Sequence, residues 1–370
     1  MDRTRPFWAP PLAALAIVTL MLAIWGGLLR VGWALPWQAP TLSAFHGPLL
    51  VAGVFGVLVG LERAVALGKA WTYLAPALAA AGSITVVAGA GSFAPILYAA
   101  AGMAFVLVNL SVYREHPSLH AAIETAGAAM LVIGSVIWLV GGSISDAVPA
   151  WTGFLLFTIV GERLELSRLL LLSRAQRMLL VGALAVYAAA IPLRWAAPLA
   201  GSIVAGLAMV AVAVWLFRYD LARRTIRRSG VTRYIAIALL SGFVWLLVAG
   251  ILTMLGPAAI VPGAEFPATL ANDATLHAFF VGFVFAMVFG HAPVVLPALG
   301  LPVAYNRWFY PPLVVLHFSV AVRIVGDLAG VPMLRREGAM GNGVAIALFF
   351  LTVAGSFLAG QIQSMKRRTR

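Results

Sequence analysis

The chain has 370 residues, of which 62% are hydrophobic and only 10% are charged, and its mean hydropathy is +1.00. Soluble domains carry about a quarter charged residues, so this composition excludes an ordinary soluble protein and indicates lipid as the solvent. The absence of cysteine excludes disulfides, thiolate metal sites, iron–sulfur clusters and c-type haem. The formal net charge of +13 would suit nucleic acid, but its distribution is typical of cytoplasmic loops.

Apolar windows of about 20 residues, the length that crosses a bilayer, recur along the chain. They predict an all-α, polytopic bundle of about twelve transmembrane helices, with edges accurate to about three residues. We expect a single integral membrane domain over 1–370, as a multi-pass protein of a bacterial inner (cytoplasmic) membrane. Pro192 is expected to end the seventh and shortest span. The predicted spans are 10–30, 41–61, 72–92, 94–112, 119–141, 147–167, 176–193, 197–217, 233–255, 270–296, 308–328 and 342–363.

Basic residues are distributed asymmetrically between alternate loops. With the N-terminus in the cytoplasm, 20 of the 25 Lys and Arg residues lie inside, which the positive-inside rule favours. An even number of spans then places both termini in the cytoplasm. The arginine-rich stretch 218–233 is the clearest cytoplasmic loop, and proximity to lipid phosphates explains it better than nucleic acid. The expected partner is therefore the lipid bilayer. The basic residues left outside are Arg30, Arg194, Arg323, Arg335 and Arg336.

Spans two, six and ten run in the same direction and share a weak sequence pattern. Their inner ends carry Glu62-Arg63, Glu162-Arg163 and His291 respectively, each after a nearby glycine. This similarity suggests three four-helix repeats, about 1–115, 116–230 and 231–370, and chance resemblance between glycine-rich helices is the equally weighted alternative. Interfacial ion pairing explains the two Glu-Arg pairs better than proton uptake does.

Four of the six histidines lie well inside predicted spans, whereas His116 and His120 lie by the cytoplasmic loop after span four. Ionisable groups within a span are costly and indicate function. At a rise of about 1.5 Å per residue, His46 and His277 lie within a few Å of one level on helices that both enter from outside. Two neutral imidazoles on facing helices at one level would ligate a six-coordinate haem b. The alternative for each histidine is a hydrogen-bonded packing role. His291 and His317 are candidates for a second metal, as copper or a second haem, or for a proton path.

Residues around these histidines extend the same hypothesis. The glycines at 47, 53, 56 and 282 would leave room for a macrocycle, with ordinary helix packing as the alternative. Arg323, Arg335 and Arg336 on the outer side would bind haem propionates, because the guanidinium fork suits carboxylates. Pairing of these arginines with Asp327 or Glu337 is the equally weighted alternative. The remaining acidic residue within a span is Glu124, which lies deeper than the Glu-Arg pairs.

These residues resemble the NnrS family, and more remotely subunit I of the haem-copper oxidases. Arg5-Pro6-Phe7-Trp8 is similar to the Arg-Pro-Phe-Phe opening of NnrS proteins. The stretch from His46 to Gly53 resembles their His-x-x-Met-x-x-Gly, and the stretch from His277 to Met287 resembles their His-Ala-x-x-Val-Gly-x-x-x-x-Met. The Pro-Asn-Trp-Thr-Gly stretch of helix two and the Gly-His-Thr-Gly-Arg after helix ten are replaced here.

The oxidase resemblance implies three four-helix arcs and a low-spin haem between helices two and ten, with an arginine pair after helix eleven on the propionates. His46, His277 and Arg335-Arg336 occupy the matching positions. Span six lacks histidine, and Phe279 stands where oxidases have a second histidine of span ten. The resemblance therefore implies electron transfer or gas sensing rather than oxygen reduction.

Three functions follow from these patterns. The leading hypothesis is a haem-b membrane protein of the NnrS type, linked to nitric oxide and nitrosative-stress tolerance and served by an unidentified electron donor. If it is an enzyme, it is an oxidoreductase acting on nitric oxide or a related species. The alternatives are a proton- or metal-coupled transporter without haem, and a cofactor-free membrane assembly factor. The sequence leaves the oligomeric state open.

Overall fold

The computed structural model describes residues 8–255, 268–298 and 301–368, so the opening Arg5-Pro6-Phe7 lies outside the described residues. Within those ranges the chain is helical, and twelve helices are long and apolar enough to cross a membrane. This confirms the predicted all-α, multi-pass bundle. The helices are α1 (Ala9–Arg30), α2 (Pro40–Leu67), α3 (Ala70–Val87), α4 (Gly91–Glu115), α5 (Leu119–Leu139), α6 (Ile144–Leu166), α7 (Arg174–Ala196), α8 (Pro198–Tyr219), α9 (Gly230–Leu255), α10 (Leu270–Pro297), α11 (Arg307–Leu328) and α12 (Pro332–Gln361).

The predicted helix ends are wrong by more than three residues at three places: the end of α2, the end of α3, which stops at Val87 rather than at 92, and the start of α12. Helix α2 continues to Leu67 and α12 begins at Pro332, well beyond the expected 61 and 342. Both extensions carry charged residues that closed the apolar window, and one arginine of each extension, Arg63 and Arg335, forms an ion pair within the protein. Pro192 lies inside α7 and does not end it. A proline one turn before a helix end disrupts few hydrogen bonds, so the last turn persists.

The described chain divides into two compact units after Glu165. In the first unit, α1 packs on α2, α2 on α3, α3 on α4 and α4 on α5. Helix α5 meets α6 through glycines: Gly127 lies against Phe154 and Thr158, and Gly134 lies against Trp151. In a lipid solvent the hydrophobic effect does not drive helices together, so their association depends on close packing, which small residues permit.

The second unit contains α7–α12. Helix α8 packs on both α7 and α9, α10 packs on α9 and α11, and α11 packs on α12. Gly206 and Gly250 approach each other where α8 crosses α9. At the contact between α11 and α12, Gly338 lies against the backbone of Arg323, which brings the charged ends of these two helices together.

Helices α2 and α10 share a local distortion. Residues Leu49–Phe55 of α2 and Ala278–Val284 of α10 form π-helix, whereas α6 is α-helical over its whole length. Such wide turns occur rarely and are frequent at functional sites. The division into two units differs from the expected three repeats of four helices, and that repeat stays a prediction.

Candidate functional site

His46 is held by its own helix in the first unit. Its Nδ1 lies 3.1 Å from the carbonyl oxygen of Ser43, and its ring is half-buried. Gly47 and Pro48 follow His46, and the π-helical segment begins at Leu49. Because a carbonyl only accepts hydrogen bonds, Nδ1 carries the proton and the neutral ring has its basic lone pair on Nε2.

His277 has the same arrangement in the second unit. Its Nδ1 donates to the carbonyl oxygen of Asp273 at 2.7 Å, and 16% of the side chain is exposed. The π-helical segment Ala278–Val284 follows immediately. Here too the proton on Nδ1 directs the basic lone pair to Nε2, the tautomer that metal-binding histidines adopt.

Most of the glycines expected to make room for a macrocycle are closed by neighbouring helices. A Cβ on Gly53 would overlap Ser83, one on Gly56 would lie 3.3 Å from the Ala79 side chain, and one on Gly282 would overlap Trp245. These three glycines serve helix packing, so that expectation is wrong for them. Gly47 is different, because no described atom lies within 4 Å of a Cβ built there.

The arginines expected on the outer side form an ion-pair network in the second unit. One carboxylate oxygen of Asp273, Oδ2, contacts Nη2 of Arg323 at 2.9 Å and Nη2 of Arg335 at 3.2 Å. Nε of Arg335 lies 2.9 Å from Asp327 Oδ1, and the Asp327 side chain is fully buried. The alternative of pairing with Asp327 is thus what the structure shows for Arg335, and for Arg323 at 3.9 Å, while Glu337 is exposed. Arg336 adjoins Arg335 and is half-buried.

The sequence analysis did not identify Asp273 as a site residue, although its spacing from His277 indicated that the two lie together. It precedes His277 by four residues, which is one turn on the same helix face. Its carboxylate holds Arg323 and Arg335, and its carbonyl accepts from His277. Asp273 therefore connects α10 to α11 and α12 at the position of the candidate ligand.

The other two intramembrane histidines differ in their hydrogen bonds. Nδ1 of His291 donates to the Met287 carbonyl oxygen at 2.7 Å, as in His46 and His277. Nδ1 of His317 instead accepts from Nε1 of Trp245 at 2.8 Å, so the proton of neutral His317 is on Nε2. That Nε2 is buried and has no hydrogen-bond partner among the residues that the structure describes. A protonated Nε2 disfavours metal ligation by His317 and suits a donor role.

A second buried charge cluster lies where α2, α5 and α6 meet in the first unit. Nη2 of Arg63 contacts Glu124 Oε1 at 2.9 Å and approaches Glu162 Oε1 at 3.7 Å. Glu124 is only 3% exposed, and Glu62 interacts electrostatically with both Arg63 and Glu162. The single guanidinium of Arg63 thus lies close to several carboxylates. The sequence analysis treated the Glu-Arg pairs separately and did not join them to Glu124.

No group of three or more His, Asp or Glu side chains able to hold a metal occurs within the described ranges. Residues 10–358 match a family described as a domain of unknown function (DUF8744). The chain belongs to this family. No curated protein and no solved structure matches the chain. The candidate ligands therefore rest on geometry within each unit.

Proposed function

We propose that the protein is a haem-b-binding protein of a bacterial inner membrane, in which Nε2 of His46 and Nε2 of His277 would hold the haem iron. The observation that carries the proposal is the shared geometry of these two histidines. Each donates from Nδ1 to a carbonyl of its own helix and lies just before a seven-residue π-helical segment, which begins three residues after His46 and one residue after His277. When a histidine binds a metal through one ring nitrogen, a hydrogen bond from the other nitrogen fixes the orientation of the ring and raises its basicity.

A haem b held by these two histidines would supply one-electron chemistry, which favours electron transfer or gas sensing over gas reduction. The resemblance to NnrS proteins supports nitric oxide or a related species as the molecule concerned. The protein residues orient the ligands: Asp273 fixes the ring of His277, and Arg323 and Arg335 hold Asp273. Because Asp273 engages both arginines, we assign them to positioning rather than to the propionates.

The test is a reduced-minus-oxidised absorption spectrum of the full chain purified in detergent from haem-replete cells. We expect sharp b-type bands that disappear in His46→Ala and in His277→Ala. His116→Ala is the matched control because His116 is exposed, and His317→Ala should also retain the bands. A monodisperse, helical protein without these bands, or bands that survive both ligand substitutions, would refute the proposal.

The Arg63 cluster supports a second candidate function, proton-coupled transport. Several carboxylates close to one buried guanidinium are stabilised by taking up a proton, and intramembrane carboxylates mark proton relays in transporters. Glu124 is the candidate proton carrier because it is the most buried member in direct contact with Arg63. The test measures proton uptake into proteoliposomes with an internal pH dye.

Glu124→Gln is expected to abolish uptake, whereas Glu115→Gln is the control. Glu115 is about half-exposed and pairs with Lys69 at 2.9 Å outside the cluster. Absence of proton movement by the wild-type protein, or equal movement by both variants, would refute the transport function. Neither result bears on the haem spectrum, so the two candidate functions are tested separately.

A further inference from the structure

The second unit contains a polar pocket at one end of α7 and α8. Its volume is about 510 Å³, and four arginines line it: Arg218, Arg223, Arg224 and Arg227. Gln176 and Tyr219 also face the pocket. Nε1 of Trp215 donates to the Gln176 carbonyl oxygen at 2.7 Å and ties α8 to α7 beside it. The pocket is therefore built on the ends of two packed helices.

The charge in this pocket is unbalanced. Asp220 is its sole carboxylate among the described lining residues, and its Oδ1 accepts a hydrogen bond from the Ala222 amide. Within the described part of the chain, none of the four arginines pairs with a carboxylate. Guanidinium groups gathered around one cavity repel each other, and an anion between them relieves that repulsion.

The chemistry of the lining favours a phosphate group. Arginine forks bind phosphate through paired N–H donors, more specifically than lysine does. Nη1 of Arg223 also lies 3.5 Å from the Arg218 carbonyl, and Arg218 lies over the Tyr219 ring at 5.5 Å. These contacts order two of the four side chains. Arg224 and Arg227 are exposed and free to close on a ligand.

The position of the pocket favours a lipid as the source of the phosphate. Helix α7 begins at Arg174 and α8 ends at Tyr219, so the pocket lies at the edge of two apolar spans, where headgroups lie. Leu171 stands between two lining residues, Leu170 and Leu172, and is 91% exposed. An apolar side chain in that position suits an acyl chain beside the headgroup.

We propose that this arginine pocket binds the phosphate headgroup of an anionic membrane lipid. The site is separate from the candidate haem ligands and goes beyond the proposed function. If the stretch 218–233 were only an orientation signal, all its arginines would contribute alike. A binding pocket instead predicts that the arginines lining it contribute more to lipid binding than the others. Arg228 and Arg233 belong to the same stretch and do not line the pocket.

The test measures binding of fluorescent phosphatidylglycerol, against fluorescent phosphatidylcholine, to the full chain in neutral detergent. The double variant Arg224→Gln/Arg227→Gln is expected to weaken phosphatidylglycerol binding about fivefold for each arginine. Arg228→Gln/Arg233→Gln removes the same charge and should leave binding nearly unchanged. Arg224→Lys/Arg227→Lys should fall between wild type and the glutamine double variant, because it keeps the charge and loses the fork.

The outcomes distinguish a lipid from a free phosphate compound, and a specific pocket from diffuse attraction to a basic surface. Equal weakening by both glutamine double variants would indicate diffuse surface attraction and overturn the proposal. Tight binding of inorganic phosphate alone, lost in Arg224→Gln/Arg227→Gln and competing with the lipid, would assign the pocket to a free phosphate compound and overturn the lipid source. All variants are compared at equal helicity and equal elution volume, so that loss of folding is not scored as loss of binding.

Discussion

The carbonyl oxygen of Asp273 accepts a hydrogen bond of 2.7 Å from Nδ1 of His277, one turn further along α10. The same aspartate contacts two arginines through its carboxylate, Arg323 on α11 and Arg335 on α12. The orientation of the His277 ring is thus linked to the contacts of three helices. A substitution of Asp273 should therefore lower the stability of the second unit and change the orientation of the His277 ring.

Asp273→Ala should destabilise the protein by about 3 kcal/mol, because it leaves two guanidinium groups without their shared carboxylate in a largely buried site. The measurement is the free energy of unfolding in mixed micelles. Glu337→Ala is the control, since Glu337 is exposed and close in sequence to Arg335. An unfolding free energy no lower for Asp273→Ala than for the control would show that the network contributes little.

Two glycines of α2 should respond oppositely to alanine. Gly53→Ala would place a methyl group against Ser83 and 3.3 Å from the Tyr98 hydroxyl, so we expect a loss of about 1–3 kcal/mol. Gly47→Ala has space and should be neutral or stabilising by up to about 1 kcal/mol, because alanine favours helix. Thermal unfolding of protein without added haem checks both. Similar melting temperatures for the two variants would contradict the packing described for Gly53.

The contact between Trp245 and His317 gives a third prediction. Trp245→Phe keeps an aromatic ring but removes the N–H that donates to His317 Nδ1 at 2.8 Å. The buried acceptor left behind should cost about 1–3 kcal/mol. Trp308→Phe, at a residue that is 74% exposed, should change the unfolding free energy little. Equal effects would indicate that ring packing, and not the hydrogen bond, stabilises this contact.

If His277 ligates haem, His277→Met should keep a coordinating side chain and raise the reduction potential, because methionine ligation favours the reduced iron. Redox titration of the purified full chain measures the midpoint. His116→Met, at an exposed position, is the control and should leave the midpoint unchanged. An unshifted midpoint in His277→Met with the bands intact would exclude His277 as a ligand.

The membrane orientation can be tested without background, because the chain has no cysteine. Ser229→Cys lies in the arginine-rich stretch and should be blocked from a membrane-impermeant thiol reagent added to intact cells. Ser143→Cys lies between α5 and α6 and should react with it. Both serines are exposed, so reactivity reports the side of the membrane. The reverse labelling pattern would invert the predicted topology.

Hydropathy predicted the twelve spans because a lipid solvent requires each crossing helix to be apolar over its length. The same rule failed at Glu62-Arg63 and Arg335-Arg336, where charged residues continue a helix. Arg63 and Arg335 pair with carboxylates distant in sequence, those of Glu124 and Asp273, and a local hydropathy window does not include such partners.

The candidate ligands His46 and His277 were found from sequence, since an ionisable side chain within an apolar run stands out against its neighbours. Their tautomers and the π-helical segments beside them required the three-dimensional backbone, because they depend on which carbonyl each ring reaches. Composition and spacing thus determined the membrane-spanning architecture and the candidate residues. Only the tertiary structure decided that Arg335 pairs with Asp273 and Asp327, because ion pairing between helices depends on their packing and not on the order of residues in the chain.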